Sequence, residues 1–368
     1  MKPKLLAFHL PQYHPIPEND AWWGTGFTEW RNVTGATPLF PGHYQPHLPA
    51  DLGYYDLRLP EVRQQQADLA RQYGIHGFCY YHYWFSGKQL LERPVAEILS
   101  SGQPDFPFCL CWANENWTRR WDGQDHDVLI TQHYSLADDE AHLRALVPYF
   151  HDPRYIRIHN KPLFLVYRSS RLPDPRATTT LWRQLAHQHG LDDLYLVKVE
   201  SFPTDRNRHP ELDGYDAALD FQPDWESLPP PLQPPLRWKL LNKLGLARPH
   251  SFRTNRVFSY PDVAAAMLAR PPVPYPRFPC VTPAWDNTAR RRHGGATILH
   301  GSTPSAYGHW LRALLADQQT LDQLPEPIVF INAWNEWAEG NHLEPDLQCK
   351  HKYLEKTLTV SSSIKMRA

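Results

Sequence analysis

The chain has 368 residues, enough for two average domains or for one large α/β barrel with insertions. Lys and Arg number 38 against 39 Asp and Glu, so a formal net charge of −1 provides no overall field to attract nucleic acid or anionic lipid. Dedicated nucleic-acid binding is therefore disfavoured. Since no apolar run approaches the roughly 18 residues of a membrane-spanning helix, we expect no integral membrane segment.

The N-terminus and the cysteines bear on compartment and cofactors. The apolar stretch from Leu5 to Phe8 is ended by His9 and Pro11, far short of a signal-peptide core, so we expect a cytoplasmic protein. The five cysteines include Cys109 and Cys111 in C-x-C spacing, which favours free buried thiols over a disulfide framework. Because neither a paired-cysteine motif nor H-E-x-x-H occurs, we expect no metal and no cofactor.

Proline and aromatic residues are both in excess. The chain contains 37 prolines, together with 14 Trp, 18 Tyr and 15 Phe. Proline interrupts helices, whereas aromatic side chains require packing partners. This combination predicts long ordered loops that carry Trp and Tyr on a rigid scaffold, and such loops suit flat apolar ligands, including the faces of sugar rings.

Eight short apolar runs are candidate strands. Their hydrophobicity is nearly continuous rather than alternating, which is typical of a parallel sheet covered on both faces. The predicted strands are Leu5–Leu10, Ile75–Tyr81, Pro107–Trp112, Pro162–Tyr167, Leu194–Val199, Ala217–Phe221, Pro279–Ala284 and Pro327–Ala333.

Segments with helical spacing lie between most of these strands. The clearest has Thr303 as N-cap and Pro304 at its first position; another starts at Ser135, and a third covers about Pro60–Tyr73. Strand followed by helix, repeated eight times, predicts a (β/α)8 TIM barrel. A doubly wound open sheet is the alternative.

Three irregular insertions interrupt this rhythm, at residues 11–55, 113–127 and 222–260, and the last is rich in proline. Because each follows a strand, a barrel would place all three at its C-terminal mouth, where the sites of such folds are built. We predict a single catalytic domain over residues 1–358 and a polar C-terminal tail over residues 359–368.

Two glutamates follow the last predicted strand. The segment from Trp334 to Gly340 places Glu336 and Glu339 three residues apart between indoles, a spacing that puts both on one face of a helical turn. Apolar neighbours and a second nearby charge separate the pKa values of such a pair, so that one acts as acid and the other as base. We predict Glu336 and Glu339 as catalytic residues; the structural alternative is a solvated surface turn.

Aromatic and polar side chains follow the second and third predicted strands. Sugar binding requires flat apolar faces together with donors and acceptors for hydroxyl groups. We predict substrate contacts from Tyr81, His82, Tyr83, Trp112, Asn114, Glu115 and Trp117. For Tyr81 and Trp112, a place in the barrel core is an equally good interpretation.

Residues after the other strands complete a ring of predicted substrate contacts at the same mouth. They are Tyr13 and His14 after the first strand, Tyr167 after the fourth, Glu200 after the fifth, Trp285 and Asp286 after the seventh, and Asn335 and Trp337 beside the glutamates. The chain has 20 histidines, so any single one is more often a structural hydrogen-bonding group than a ligand.

Five separate motifs resemble the WbsX proteins, which are similar to glycoside hydrolase family 99. In order along residues 4–350, they are Ala7 to Pro15, Trp22 to Trp30, Tyr80 to Phe85, Trp112 to Trp117 and Trp334 to Pro345. The resemblance implies a (β/α)8 barrel that acts on an oligosaccharide or polysaccharide, and a role in bacterial O-antigen, lipopolysaccharide or other surface-polysaccharide metabolism.

Family 99 contains endo-α-mannosidases and endo-α-mannanases, and the resemblance also implies roles for the two glutamates. Glu336 matches the base that activates the 2-hydroxyl of the sugar and gives a 1,2-anhydrosugar. Glu339 matches the residue that protonates the departing oxygen and later activates water. The implied activity is a retaining glycoside hydrolase or transglycosylase acting on α-linked, mannoside-like glycans.

Two other function classes stay open. A sugar-nucleotide-dependent glycosyltransferase would hold a divalent cation, for which Asp125-His126-Asp127 has the D-x-D form. A carbohydrate-binding protein would bind glycans without turning them over. Dependence of activity on metal and nucleotide would distinguish the glycosyltransferase from a hydrolase. Absence of turnover would distinguish the carbohydrate-binding protein. The sugar, linkage, acceptor and oligomeric state are left open.

Overall fold

The computed structural model describes residues 2–119, 124–206, 208–233, 240–241, 243–246, 252, 254–291 and 294–364. For residues 119 and 124–127 the description covers the backbone alone. The D-x-D triplet Asp125-His126-Asp127 therefore lies outside the described side chains.

Eight parallel strands of the described chain form a closed barrel. They are β1 Lys4–His9, β2 Gly77–Phe85, β3 Phe108–Trp112, β4 Lys161–Val166, β5 Tyr195–Val199, β6 Ala217–Leu219, β7 in two pieces, Arg277–Phe278 and Cys280–Val281, and β8 Ile328–Ile331. Each predicted strand overlaps one of these. β2 extends beyond its prediction because its end pairs in antiparallel fashion with Lys88–Leu90.

The seventh strand closes the barrel. Its first piece pairs with β6, where Leu219 lies opposite Phe278, and its second piece pairs with β8, where Val281 lies opposite Ile331. Pro279, which has no N–H, separates the two pieces, and its carbonyl accepts a hydrogen bond from the Phe330 N–H at 2.9 Å. Since β8 also pairs with β1, the predicted (β/α)8 barrel is confirmed and the open sheet is excluded.

Helices surround the barrel and fill its insertions. They are α1 Pro17–Trp23, α2 Trp30–Thr34, α3 Pro60–Gln72, α4 Arg93–Ser101, α5 Leu136–His151, α6 Pro175–Gln188, α7 Tyr260–Leu268, α8 Pro304–Ala316, α9 Gln318–Leu321 and α10 Lys352–Ser363. The predicted Thr303 cap forms, since Thr303 Oγ1 accepts from the Ala306 N–H at 3.1 Å. Ser135, where a second helix was predicted to start, also acts as an N-cap, and its Oγ accepts from the Asp138 N–H at 3.1 Å. Among the described helices none combines the length and apolarity needed to cross a bilayer.

The core lies inside the barrel and between its strands and helices. Phe8, Phe164 and Phe330 are fully buried there, and each such side chain stabilises the fold by roughly 1.5–3 kcal/mol. All five cysteines are free, and four of them are buried. Helix α10 runs to Ser363, past residue 358 where the sequence places the domain end, because Val360 packs into the core.

The insertions have structure of their own. Residues 11–55 contain α1 and α2. After β3, Trp117–Arg119 and Gln124–Ile130 form an antiparallel hairpin, which we call the rim hairpin. The third insertion includes the strand Arg256–Ser259, which pairs in parallel with Thr297–His300.

Candidate active site

A cleft of about 450 Å³ opens beside the C-terminal ends of the barrel strands. Eight of the seventeen predicted site residues line it, and they lie on or directly after five different strands. They are Tyr81, Tyr83, Glu115, Trp117, Tyr167, Trp285, Glu336 and Glu339. The structure thus brings the glutamate pair and much of the predicted aromatic surface into one chamber.

The two glutamates lie on a short hairpin after β8, which we call the glutamate turn, residues 334–344. Asn335–Glu336 pairs in antiparallel fashion with Asn341–His342, and Trp337–Glu339 forms a single 3-10 turn between them. Gly340 reverses the chain with φ of 57°, and a Cβ there would stand 3.0 Å from Asp286 Cβ. Only glycine combines this backbone angle with so close an approach.

Side-chain hydrogen bonds fix the first arm of the turn to the barrel. Asn335 Oδ1 accepts from the Leu10 N–H at 2.7 Å, while its Nδ2 donates to the Leu10 carbonyl at 3.0 Å. Asn335 is fully buried and does not line the cleft. Asn335 therefore joins the residue after β1 to the backbone just before Glu336.

The rear of the turn is packed against aromatic residues. Trp337 is buried away from the cleft, and its indole Nε1 donates to Glu344 Oε2 at 2.6 Å. The Tyr55 hydroxyl donates to the same oxygen at 2.7 Å. The Tyr13 hydroxyl accepts from the Trp337 backbone N–H at 3.1 Å. Tyr13 and Trp337, both predicted to contact substrate, therefore support the turn from behind.

One arginine joins three carboxylates on the cleft side. Arg290 Nη2 lies 2.6 Å from Glu336 Oε1, and its Nη1 lies 2.6 Å from Glu339 Oε1. Arg290 Nε lies 2.6 Å from Glu29 Oε1. Gln12 Nε2 also donates to Glu29. Adjacent nitrogens of one rigid guanidinium thus hold Glu336 and Glu339 side by side.

The two glutamates differ in exposure and environment. The Glu336 side chain is 8% exposed, whereas the Glu339 side chain is 19% exposed. Burial, above all, raises the pKa of Glu336 well above its usual range; Arg290 opposes this shift, and the charges of Glu339 and Glu29 add to it. A carboxylate of raised pKa is a stronger base once ionised, which suits proton transfer with a sugar hydroxyl.

Aromatic rings form the wall opposite these charges. Tyr167 meets Tyr81 edge to face at 6.0 Å, and Trp117 meets Tyr83 in the same way at 5.2 Å. Trp285 contacts Trp225, a lining residue that the sequence analysis did not select. Such rings offer stacking faces for sugars next to the polar groups of the turn.

Several predicted contacts lie behind the wall instead. His82 Nε2 is 2.9 Å from His142 Nε2, and Trp112 packs against His142 at 4.5 Å in the barrel core. Asn114 is fully buried and bonds both the N–H and the carbonyl of Arg168. These side chains shape the loop after β3 without lining the cleft.

The remaining predicted contacts are also outside the lining. His14 is buried beyond it. Glu200 is 1% exposed and accepts a hydrogen bond from the Tyr275 hydroxyl at 2.8 Å. Asp286 lies 2.6 Å from His43 Nε2. Each of these carboxylates has a protein partner that explains its burial.

Sequence reasoning missed Arg290 and Glu29. Glu29 lies in the Trp22 to Trp30 motif, between Phe27 and Trp30, and an acidic residue among so many aromatic ones was a usable signal. Arg290 lies in an arginine-rich stretch after β7 that resembles an ordinary exposed loop. No local pattern distinguishes it, because its partners are 46 to 261 residues away.

Solved structures share the fold. The GH99 endo-alpha-mannosidase of Bacteroides thetaiotaomicron superposes with a TM-score of 0.54 at 14% identity, over 97% of this chain and 96% of that chain. A structure named "Glycoside hydrolase-like protein" gives a TM-score of 0.58 at 12% identity, over 98% and 94% of the two chains. At these identities the similarity establishes the barrel architecture.

Sequence relatives are closer. Two strains of Xanthomonas campestris pv. campestris have a protein named "Uncharacterized protein WxcX" that is 46% and 45% identical over 353 residues, 96% of this chain. This chain spans about half the length of those relatives, since the match covers 49% of each. The family model described as "Glycosyltransferase WbsX" matches residues 5–357, and the chain therefore belongs to the WbsX family.

Proposed function

We propose that the protein is a retaining glycoside hydrolase or transglycosylase that acts on α-linked, mannoside-like glycans of bacterial surface polysaccharides, such as O-antigen. The observation that supports this most is the placement of Glu336 and Glu339 on one guanidinium, facing an aromatic cleft. Two carboxylates beside one bound sugar are what acid–base cleavage of a glycosidic bond requires.

The proposed first step uses both glutamates at once. The Glu336 carboxylate takes the proton of the sugar 2-hydroxyl, and that oxygen attacks C1 to form a 1,2-anhydrosugar. The bond from C1 to the leaving oxygen breaks, and protonated Glu339 gives its proton to that oxygen. Burial of Glu336 opposes its ionisation, whereas the ion pair with Arg290 favours the carboxylate that this step needs.

The second step reverses the proton movements. The Glu339 carboxylate takes a proton from water or from an acceptor hydroxyl, whose oxygen attacks C1 and opens the three-membered ring. The 2-oxygen recovers its proton from Glu336. Two displacements at C1 give net retention, and the choice between water and acceptor decides hydrolysis or transfer.

A sugar-nucleotide-dependent glycosyltransferase is the second candidate, favoured by the description of the family as a glycosyltransferase. One assay separates the two: the protein is incubated with defined oligosaccharides and with sugar nucleotides, each with and without chelator and added Mn²⁺, and the products are followed by mass spectrometry. Cleavage or transfer without nucleotide supports our proposal. Strict dependence on nucleotide and Mn²⁺ supports the second candidate, and binding without turnover contradicts both.

Glu339→Gln tests the assignment of the acid. We expect it to lose activity on natural oligosaccharides by about 10²–10⁴-fold. It should recover the first step on an aryl glycoside whose leaving group needs no protonation, and single-turnover release of the aryl alcohol measures this. Glu115→Gln, the same change at another glutamate of the cleft, is the matched control. Its effect should not depend on whether the leaving group needs a proton. An equal loss by Glu339→Gln on both substrates would contradict the acid role.

A further inference from the structure

A second cluster of polar side chains lies behind the glutamate turn. His47, His342 and Asp346 each offer one ligand atom, and these atoms all lie within 4.8 Å of one another. All three residues are buried, with exposures of 8%, 6% and 3%. None lines the substrate cleft, and together they border a separate cavity of about 160 Å³.

The hydrogen bonds of His342 orient one of its ring nitrogens into this cluster. Its Nδ1 lies 2.9 Å from the Glu344 carbonyl, which can only accept, so Nδ1 carries the proton. The Nε2 lone pair therefore points toward His47 Nδ1, 3.0 Å away. Stacking on Trp337 at 3.7 Å fixes the ring plane. When one ring nitrogen of a histidine binds a metal, the other usually donates to a backbone carbonyl, a carboxylate or a water, as Nδ1 does here.

The spacing of the ligand atoms fits a small transition-metal ion. Zinc–nitrogen bonds of about 2.0–2.1 Å place neighbouring ligands of a tetrahedral site roughly 3.3 Å apart. Here His342 Nε2 is 3.0 Å from His47 Nδ1 and 3.9 Å from Asp346 Oδ2. The other oxygen of Asp346 accepts from the Cys349 N–H, and the Tyr44 side chain also hydrogen-bonds Asp346, so the carboxylate is held in place beside His342.

We propose that His47, His342 and Asp346 bind one divalent transition-metal ion such as Zn²⁺. Two imidazoles and one carboxylate suit this class, whereas Mg²⁺ and Ca²⁺ prefer sites made of oxygen ligands. The adjoining cavity leaves room for a water as fourth ligand. The D-x-D triplet would hold a cation for nucleotide chemistry, whereas this ion would lie behind the turn.

The ion would act on the position of the glutamates rather than on the reaction itself. His342 lies opposite Asn335 in the hairpin, and Glu336 is the next residue on that arm. His47 belongs to the insertion after β1. The other contacts of this insertion with the turn include those of Tyr13 and Trp30 with Trp337. A metal would therefore fix this insertion to the second arm of the turn.

Zinc binding can be measured without any substrate. Tag-free protein is stripped with chelator and titrated with ZnCl₂ by calorimetry, and metal content is measured by mass spectrometry on the protein as purified. We expect one equivalent of zinc and a higher melting temperature when it is bound. His47→Gln and Asp346→Asn should each weaken the affinity by about 100-fold or more, since even loss of a group that only hydrogen-bonds a metal ligand costs about 10–100-fold.

The controls separate this site from adventitious binding. His300→Gln changes a histidine that borders the same cavity but is outside the cluster, and it should leave the zinc affinity unchanged. MgCl₂ should produce no saturable binding at the site. Absence of saturable zinc binding by the wild-type protein, or wild-type affinity in both cluster variants, would overturn the proposal. The contact between His47 and His342 would then be a plain hydrogen bond between neutral rings.

Discussion

The glutamate turn and the rim hairpin both follow barrel strands and both border the cleft, yet they are built differently. In the turn, Glu336 and Asn335 are buried and paired with named partners on other elements. In the rim hairpin, Trp117 is partly exposed and touches the rings of Trp22, Tyr83 and Phe85. The strand pairing of the hairpin also shifts register beside Trp117.

This contrast indicates a division of labour. Hydrogen bonds and ion pairs hold the turn to one geometry, as the proton transfers proposed for Glu336 and Glu339 would require. Aromatic edges allow the hairpin to adjust without leaving polar groups unsatisfied. We therefore expect changes in the turn to affect rate and stability, and changes in the hairpin to affect substrate affinity.

The largest expected effect is that of Glu336→Gln, which removes the proposed base but keeps the shape of the side chain. Turnover should fall by about 10²–10⁴-fold on natural and activated substrates alike. Steady-state kinetics measures this, and a melting curve confirms that the variant folds. Unaltered turnover would exclude Glu336 from the chemistry. The proposed difference in role between the glutamate turn and the rim hairpin would then have no support.

Arg290→Gln should mainly affect stability. It leaves three carboxylates without their shared cation, and removing one partner of a buried ion pair costs about 3–5 kcal/mol in the free energy of unfolding. Because Arg290 holds down the pKa of Glu336, its loss raises that pKa further. Stability tied to a raised pKa is lost as pH rises, so the difference from wild type should be larger at about pH 8 than at about pH 5.

Urea unfolding at the two pH values measures this difference, and Arg291→Gln is the matched control on the same loop. A destabilisation that grows toward acid pH would contradict the arrangement of charges described for the cleft.

Trp337→Phe tests the rear of the turn. It keeps most of the ring but deletes the indole N–H that Glu344 accepts, and a hydrogen bond to a charged group contributes about 1.5–3 kcal/mol. The free energy of unfolding should fall by about this amount, with a loss in turnover and little change in substrate affinity. Trp30→Phe in the same cluster is the comparison, since it deletes an indole N–H that a backbone carbonyl accepts instead of a carboxylate. If Trp337→Phe weakened glycan binding alone, the residue would belong to the cleft after all.

Trp117→Ala should have the smallest effect. Loss of one stacking face costs about 0.5–1.5 kcal/mol, which is about 2- to 10-fold in glycan affinity. Titration of the wild-type protein, Trp117→Ala and Trp117→Phe measures it, and Phe should restore most of the affinity. A large fall in turnover at saturating substrate would show that the rim hairpin is not separate from the chemistry.

The barrel was predictable because its signals are local. Each strand is a run of apolar residues, and helix starts such as Thr303 have caps within three residues. Glu336 and Glu339 could likewise be selected together, since they are neighbours in sequence and follow a strand. The position of a residue after a strand was therefore sufficient to place it near the mouth.

Orientation was not predictable from the same signals. His82 and Tyr83 are adjacent on β2, yet alternation along the strand directs Tyr83 to the cleft and His82 to His142. Arg290 and His47 depend on partners in distant segments, so no spacing pattern marks either one. Such contacts follow from closure of the barrel and cannot be read from a window of sequence.

Asn335 also sets the order in which the molecule can be completed. Its two hydrogen bonds reach Leu10 across 325 residues of intervening chain. During synthesis, these two hydrogen bonds can form only after the last strand and Asn335 have left the ribosome. Until then the backbone that carries Glu336 lacks this anchor, so the cleft is complete only after the last strand has been made.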